Sequence, residues 1–203
     1  MTRILVIRSS ANGQGSVSNR LIDTFLAALP AGDVTVTQRD LDADPVPHVT
    51  SATLAGIGRP APETAAAKPT RAFSDRLIAE LRDADLIVLG VPMYNFGIPS
   101  TLKSWFDHVL RAGETFRYTA EGPEGLLPGK RAVILASRAG AYSGSPVDHQ
   151  VPHAATMLGF MGVTNVDTII VEGLAFGEEA AARAIAQGEA QTHAIADSFM
   201  VAA

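Results

Sequence analysis

Leu86 to Val91 is an unbroken apolar run of strand length, with no polar residue to line a wet face. Such a run predicts a parallel strand buried on both sides, and the helix-spaced stripe Leu102, Trp105, Phe106, Val109 and Leu110 follows it. The alternation recurs. Ile4 to Ile7 precedes Leu21, Ile22, Phe25, Leu26 and Leu29 at helical spacing, and Phe73, Leu77, Ile78 and Leu81 lead into the central run. Ala132 to Ser137 is another buried strand, ahead of a predicted helix over 148–161, a strand over 166–171 and an Ala-rich helix over about 178–200. Val34 and Val36 alternate with Thr35 and Thr37, the pattern of a partly wet edge strand.

Five strands interleaved with helices predict an α/β fold with a parallel sheet covered on both faces and right-handed crossovers. The flavodoxin-like order 2-1-3-4-5, a three-layer sandwich, puts the wet second strand at an edge and the apolar first and third inside. No segment supplies a sixth strand. At 203 residues the chain predicts one domain over 1–203. Two stretches interrupt the alternation: residues 40–70, rich in Pro and Gly, predict an irregular excursion with a short helical turn, and 112–130 predict an insertion.

Composition narrows the function. The chain has no Cys, which excludes thiol nucleophiles, disulfides and thiolate metal sites and suits a reducing cytoplasm. A net charge of -5 argues against an extended basic groove, hence against a nucleic acid partner. No apolar run reaches membrane-span length, and Met1-Thr2-Arg3 leads straight into a strand, so the expectation is a cytoplasmic protein with a small-molecule ligand.

Three loops are predicted to meet at the carboxyl ends of the strands, where open α/β sheets bind ligands. The first, Arg8 to Asn19, carries hydroxyls at Ser10, Ser16 and Ser18 beside a helix start, which suits a phosphate. Ser16 or Ser18 as a plain helix cap explains the same residues. Gly13-Gln14-Gly15-Ser16-Val17-Ser18 also imitates part of a dinucleotide fingerprint, with Asp40 near the end of the second strand, the place of a ribose-binding acid. The third glycine is missing. The second loop, Gly90 to Pro99, offers Tyr94 and Phe96 as flat surfaces for a planar ring, with Gly97 for close backbone approach. An ordinary strand-to-helix connection with Pro99 at the first helical position is the competing reading. The third loop is Ser137 to Tyr142.

Arg8-Ser9-Ser10, Ser16-Val17-Ser18-Asn19, Pro92-Met93-Tyr94-Asn95-Phe96, Thr115 to Thr119, Gly122 to Leu126 and Ser137-Arg138-Ala139-Gly140 together resemble the FMN-dependent NADH-azoreductases, flavodoxin-like quinone reductases. The resemblance runs over nearly the whole chain. It implies that FMN is held by Ser10 and by Ser16, Val17 and Ser18 at the phosphate, and by Met93, Tyr94, Asn95, Phe96, Ser137, Arg138, Ala139 and Gly140 around the ring. NADH or NADPH is then the co-substrate and quinones or azo compounds the acceptors, in ping-pong order, with the flavin and no side chain carrying the catalytic chemistry. Backbone N–H groups of the 93–96 and 137–140 loops would steady charge on the reduced ring. A homodimer with Tyr118 and Phe160 at a substrate rim is implied as well; core packing is the other use of both rings. Ala139 stands where the family often has Gly, which questions a positive φ there.

His149 and His153 lie four apart without a third ligand, so no metal is expected. Ser100-Thr101-Leu102-Lys103 reads as a helix start, and Glu178, Glu179 and Arg183 as solvated charges. A flavodoxin-like electron carrier and a nicotinamide-binding dehydrogenase are the alternative functions.

Overall fold

The computed structural model of the protein describes residues 1–30, 32 and 34–201. Strands β1 (Thr2–Arg8), β2 (Val34–Asp40), β3 (Leu86–Pro92), β4 (Phe116–Thr119), β5 (Gly122–Gly125), β6 (Arg131–Ser137) and β7 (Asn165–Val171) alternate with six α-helices. These are α1 (Val17–Ala27), α2 (Leu54–Ile57), α3 (Ala67–Asp83), α4 (Ser100–Val109), α5 (Val151–Phe160) and α6 (Glu178–Val201). The main sheet has five parallel strands in the order β2-β1-β3-β6-β7. Counted among sheet strands alone, this is the 2-1-3-4-5 order expected from the pattern of apolar runs.

The pleat sorts β3 between two cores, since successive side chains of a strand face opposite ways. Ile87, Leu89 and Val91 pack with Leu77, Ile78 and Leu81 of α3, Trp105 and Phe106 of α4, and Leu158 of α5. Leu86 and Val88 pack with Leu21, Ile22 and Phe25 of α1 and Ala196 of α6. Every residue of β3 is buried, as its unbroken apolarity requires. At the margin, β2 exposes Thr35, Val36, Thr37 and Gln38, so it is wetter than strict alternation implies; Val36 keeps 36% of its surface in water. An edge strand has one neighbour and less cover.

The 40–70 excursion is shorter than its composition suggests, because residues 67–72 already belong to α3. Pro69 is compatible with this position, as the first turn has no use for its missing N–H. Gly56 lets α2 lie directly on α3: a Cβ there would meet Thr70 Cβ at 2.6 Å and the Ala67 carbonyl at 2.7 Å. Arg71 then ties the segment down by donating to the carbonyls of Gly56, Gly58 and Pro60. The 112–130 insertion contains the antiparallel hairpin β4–β5, which lies outside the main sheet. Its flank docks on the end of α5, with Leu127 N–H donating to the Met161 carbonyl at 2.9 Å.

Candidate active site

The ends of β1, β3 and β6 place the three loops side by side. Ser10, Ser16 and Ser18 are all buried, and they gather at the amino end of α1. Ser16 is the N-cap and accepts from the Asn19 N–H at 3.1 Å, and its hydroxyl lies 3.2 Å from that of Ser18. Capping does not preclude ligand binding here, because a hydroxyl that accepts one N–H still has a proton to donate. Ser9 has another job, donating to the Gly90 carbonyl at 2.6 Å and so fastening the loop to β3.

A recess of about 220 Å³ opens over this cradle, lined by Ser10, Ser16, Val17, Met93, Tyr94 and Arg138 among others. A neighbouring recess of about 190 Å³ is lined by Met93, Asn95, Phe96, Ala139, Gly140 and Tyr142. Ser137 edges the first recess, while Ser18 reaches it only through Ser16. Neither recess is lined by a carboxylate. One therefore suits an anion held by hydroxyls and helix-terminal N–H groups, and the other a planar ring held between backbone loops. That is the donor set FMN needs, and the residues present fit it.

The second loop is a two-residue turn: Tyr94 N–H donates to the Gly97 carbonyl at 3.0 Å and Gly97 N–H to the Tyr94 carbonyl at 3.1 Å. Its central residues, Asn95 and Phe96, have φ of 47° and 70°, the positive values that such hairpin turns require. Gly97 is outside the left-handed region, so the strained positions are Asn95 and Phe96 rather than the glycine expected to give close approach. Phe96 stays 45% exposed and meets Tyr142 edge to face at 5.4 Å. The Tyr94 hydroxyl instead accepts from the Ala11 N–H at 2.9 Å and lies 3.4 Å from Ser10 Oγ, linking the second loop to the first. Pro99 caps α4 rather than starting it.

In the third loop Ala139 has no positive φ, so its methyl group is accommodated. Arg138 is buried with Asp148 at 2.9 Å and Glu172 at 3.3 Å, making it a brace for the loop. Burial works against the Glu172 charge, yet the N–H groups of Tyr142 and Ser143 and the Arg138 guanidinium outweigh it and hold the carboxyl below its ordinary value. Several N–H groups of these loops are committed internally: Met93 to Ser137, Tyr94 to Gly97 and Arg138 to Val171. Those of Asn95, Phe96, Ala139 and Gly140 make no hydrogen bond among the described residues, which leaves them available as donors.

Tyr118 and Phe160 line neither recess. Tyr118 is 73% exposed on β4, and Phe160 is half-buried against Phe116, with ring centroids 4.6 Å apart. Asp40 is also outside the site; its carboxylate accepts from Asp42 N–H at 3.0 Å in a local turn, and Gly13–Gly15 forms a short 3-10 helix instead of a dinucleotide turn. His149 is exposed and His153 half-buried, with burial, then Lys103, lowering the His153 pKa. No group able to hold a metal occurs among the described residues. No helix among them is long and apolar enough to cross a membrane.

Sequence reasoning missed Asn12, Gly15, Pro92, Tyr142 and Leu174 as lining residues. The aromatic ring closing the third loop was a usable signal for Tyr142. Leu174 gave none, because its place depends on segment 173–175 bonding back to Arg138, Ala139 and Gly140. A larger recess, about 300 Å³, lies between the excursion and α3, among Pro47, His48, Phe73, Arg76 and His108, away from the strand ends.

The family model described as a flavodoxin-like fold matches residues 2–195. A relative from Hyphomonas neptunium, named FMN-dependent NADH:quinone oxidoreductase, is 49% identical over 210 residues, spanning 100% of both chains. The solved azoreductase from Bacillus anthracis superposes with a TM-score of 0.90 at 32% identity, over 98% of this chain and 100% of that one. An FMN-dependent NADH-azoreductase from the same species, solved with FMN, gives 0.84 at 25% identity, over 97% and 100%. Strand order, converging loops and full-length similarity agree, and the chain belongs to the flavodoxin-like fold family, among the relatives named FMN-dependent NADH:quinone oxidoreductases and azoreductases.

Proposed function

We propose that this chain, a single three-layer domain over 1–203, is an FMN-dependent oxidoreductase that passes two electrons from NADH or NADPH to quinones and azo compounds. The carrying observation is the pair of adjoining recesses at the strand ends, one lined by buried hydroxyls at a helix start and one by backbone loops and aromatic rings. The names of the relatives point the same way.

FMN held by these residues would supply the redox chemistry between nicotinamide and acceptor. The chain's own residues bind and orient. Ser10, Ser16 and Ser18 with the first turn of α1 hold the phosphate, with Val17 beside them. Met93, Asn95 and Phe96 flank the ring on one side and Ala139 and Gly140 on the other, while Tyr94, Ser137 and Arg138, expected at the ring, line the adjoining phosphate recess. The N–H groups of Asn95, Phe96, Ala139 and Gly140 steady negative charge on it. Because nicotinamide and acceptor need the same open side, they alternate, which is a ping-pong sequence. Tyr118 and Phe160 form an aromatic rim that a second copy would present to this site, so the working unit is a homodimer; the Cys-free composition suits a reducing cytoplasm.

The test is purification followed by flavin release and kinetics. Acid should free FMN, NADH alone should bleach the bound flavin, and initial rates should give parallel double-reciprocal lines. A colourless protein indifferent to added FMN would refute the function. Intersecting lines would refute the alternating order. Reduction only by a separate reductase would make the chain an electron carrier.

A further inference from the structure

The two loops that flank the ring recess leave neighbouring strands, and a ring slot is useful only at one width. Past Pro92 and Ser137 the ladder between β3 and β6 ends, with Met93 N–H on the Ser137 carbonyl at 2.8 Å. Beyond that point Ala11 holds the second loop and residues 172–175 hold the third, and one further segment bonds to both. In the connection before α5, Asp148 and His149 bond to the two loops and Gln150 to the strand ends beneath them.

The Asp148 carboxylate lies 2.9 Å from the buried Arg138 guanidinium in the third loop. His149 N–H donates to the Phe96 carbonyl at 3.2 Å in the strained second-loop turn. Gln150 is fully buried, and its single amide nitrogen donates one proton to the Val91 carbonyl of β3 at 2.6 Å and the other to the Ser137 carbonyl of β6 at 3.2 Å. An amide nitrogen with two protons is suited to bridging two strands; no alkyl side chain of that length does so. The segment is itself fixed, since Asp148 also accepts from the Gln150 N–H at 3.3 Å.

We propose that residues 148–150 are a clasp that sets the separation of the two ring-holding loops, with Gln150 as the positioning residue. The inference rests on the site being a flavin site, and it adds a determinant that touches neither recess. The clasp bonds to none of Ser10, Ser16 and Ser18 at the phosphate end. Ser18, at the phosphate end, is the contrasting position.

Flavin-free protein is titrated with FMN and with riboflavin, which lacks the phosphate, by quenching of flavin fluorescence, and the visible bands of the bound flavin are recorded. Wild type should bind both, FMN more tightly. Gln150→Met, of similar length and without donors, should weaken both by the same factor, about tenfold or more, and shift the bands toward those of free flavin. Ser18→Ala should weaken FMN alone. Should Gln150→Met not fold, Gln150→Asn, whose shorter amide cannot span both carbonyls, is measured against the same expectations. Unchanged riboflavin affinity and bands in the variant overturn the clasp even if it melts earlier, because lost stability alone does not widen a slot. Wild type that binds FMN but no riboflavin also overturns it. Wild type that binds neither overturns the flavin function itself.

Discussion

Replacing Gly125 with Ala tests how the β4–β5 hairpin is seated. A Cβ at this position would lie 2.1 Å from the Gly162 nitrogen and 2.3 Å from the Met161 carbonyl carbon. Resting contacts need about 3.5–4.0 Å, so the hairpin must withdraw by more than about 1 Å. Both colliding surfaces are backbone, which has no rotamer to escape into. Gly162 itself sits at a φ of 91°, and a Cβ there would in turn meet Gly125 at 3.1 Å, so neither partner can yield by turning. Overpacking of this kind costs about 1–3 kcal/mol. For a chain of this size each kcal/mol moves the thermal midpoint by about 2–4 °C, giving a drop of about 2–12 °C. Gly159→Ala is the control: it lies in α5 with nothing within 4 Å and no positive φ, so the same methyl should stabilise by about 0.5–1 kcal/mol. The assay is thermal unfolding of the flavin-free chain, with FMN affinity measured alongside. FMN affinity should hold in Gly125→Ala, because the hairpin lines neither recess. Gly125→Ala melting level with wild type would refute the reasoning.

Ser16→Ala should lower flavin-free stability by about 0.5–2 kcal/mol through loss of the cap, as read by urea unfolding. Ser16→Ala combined with Ser18→Ala should weaken FMN binding about ten- to a hundredfold in a fluorescence titration. Burial keeps the His108 pKa below its ordinary 6.5, against the pull of its bond to the Pro47 carbonyl and of Asp107. The unfolded chain thus binds a proton first, and stability should fall as pH drops below 6.5 towards the lower folded value. In His108→Gln that part of the slope should vanish from urea midpoints. Glu172 behaves with the opposite chemistry: its lowered carboxyl adds stability above the ordinary value of 4.5, lost as pH falls through the folded value, and Glu172→Gln should flatten that acid limb.

The sheet was legible because its strands carry their burial in composition: β3 has nothing polar to expose, and β2 alternates. The gathering of Ser10, Ser16 and Ser18 at the start of α1 was legible because the loop joins the end of β1 directly to that helix. The β4–β5 hairpin was not read as strands, since Phe116–Thr119 and Gly122–Gly125 are short, partly charged and include Pro123. Their pairing leans on the Arg117–Glu124 ion pair at 2.8 Å and on docking against residue 161, a long-range contact without a local trace. Gly97 drew attention as the point of close backbone approach, yet it lines neither recess, and the turn's positive φ values fall one and two residues earlier. Asn-Gly announces such a turn in sequence, and Asn-Phe does not.

That turn bears on how this protein would respond to selection. Phe96→Gly would create the favoured Asn-Gly pair and relieve a backbone state that costs a side chain about 1–2 kcal/mol. Its own entropy cost returns about 0.5–1 kcal/mol of this. A laboratory lineage bred only for heat resistance is therefore drawn towards losing the exposed ring at residue 96, one of the flat surfaces beside the recess. Screening each generation for turnover as well as survival keeps that ring in place, so the breeding regime decides whether a hardier descendant is still an enzyme.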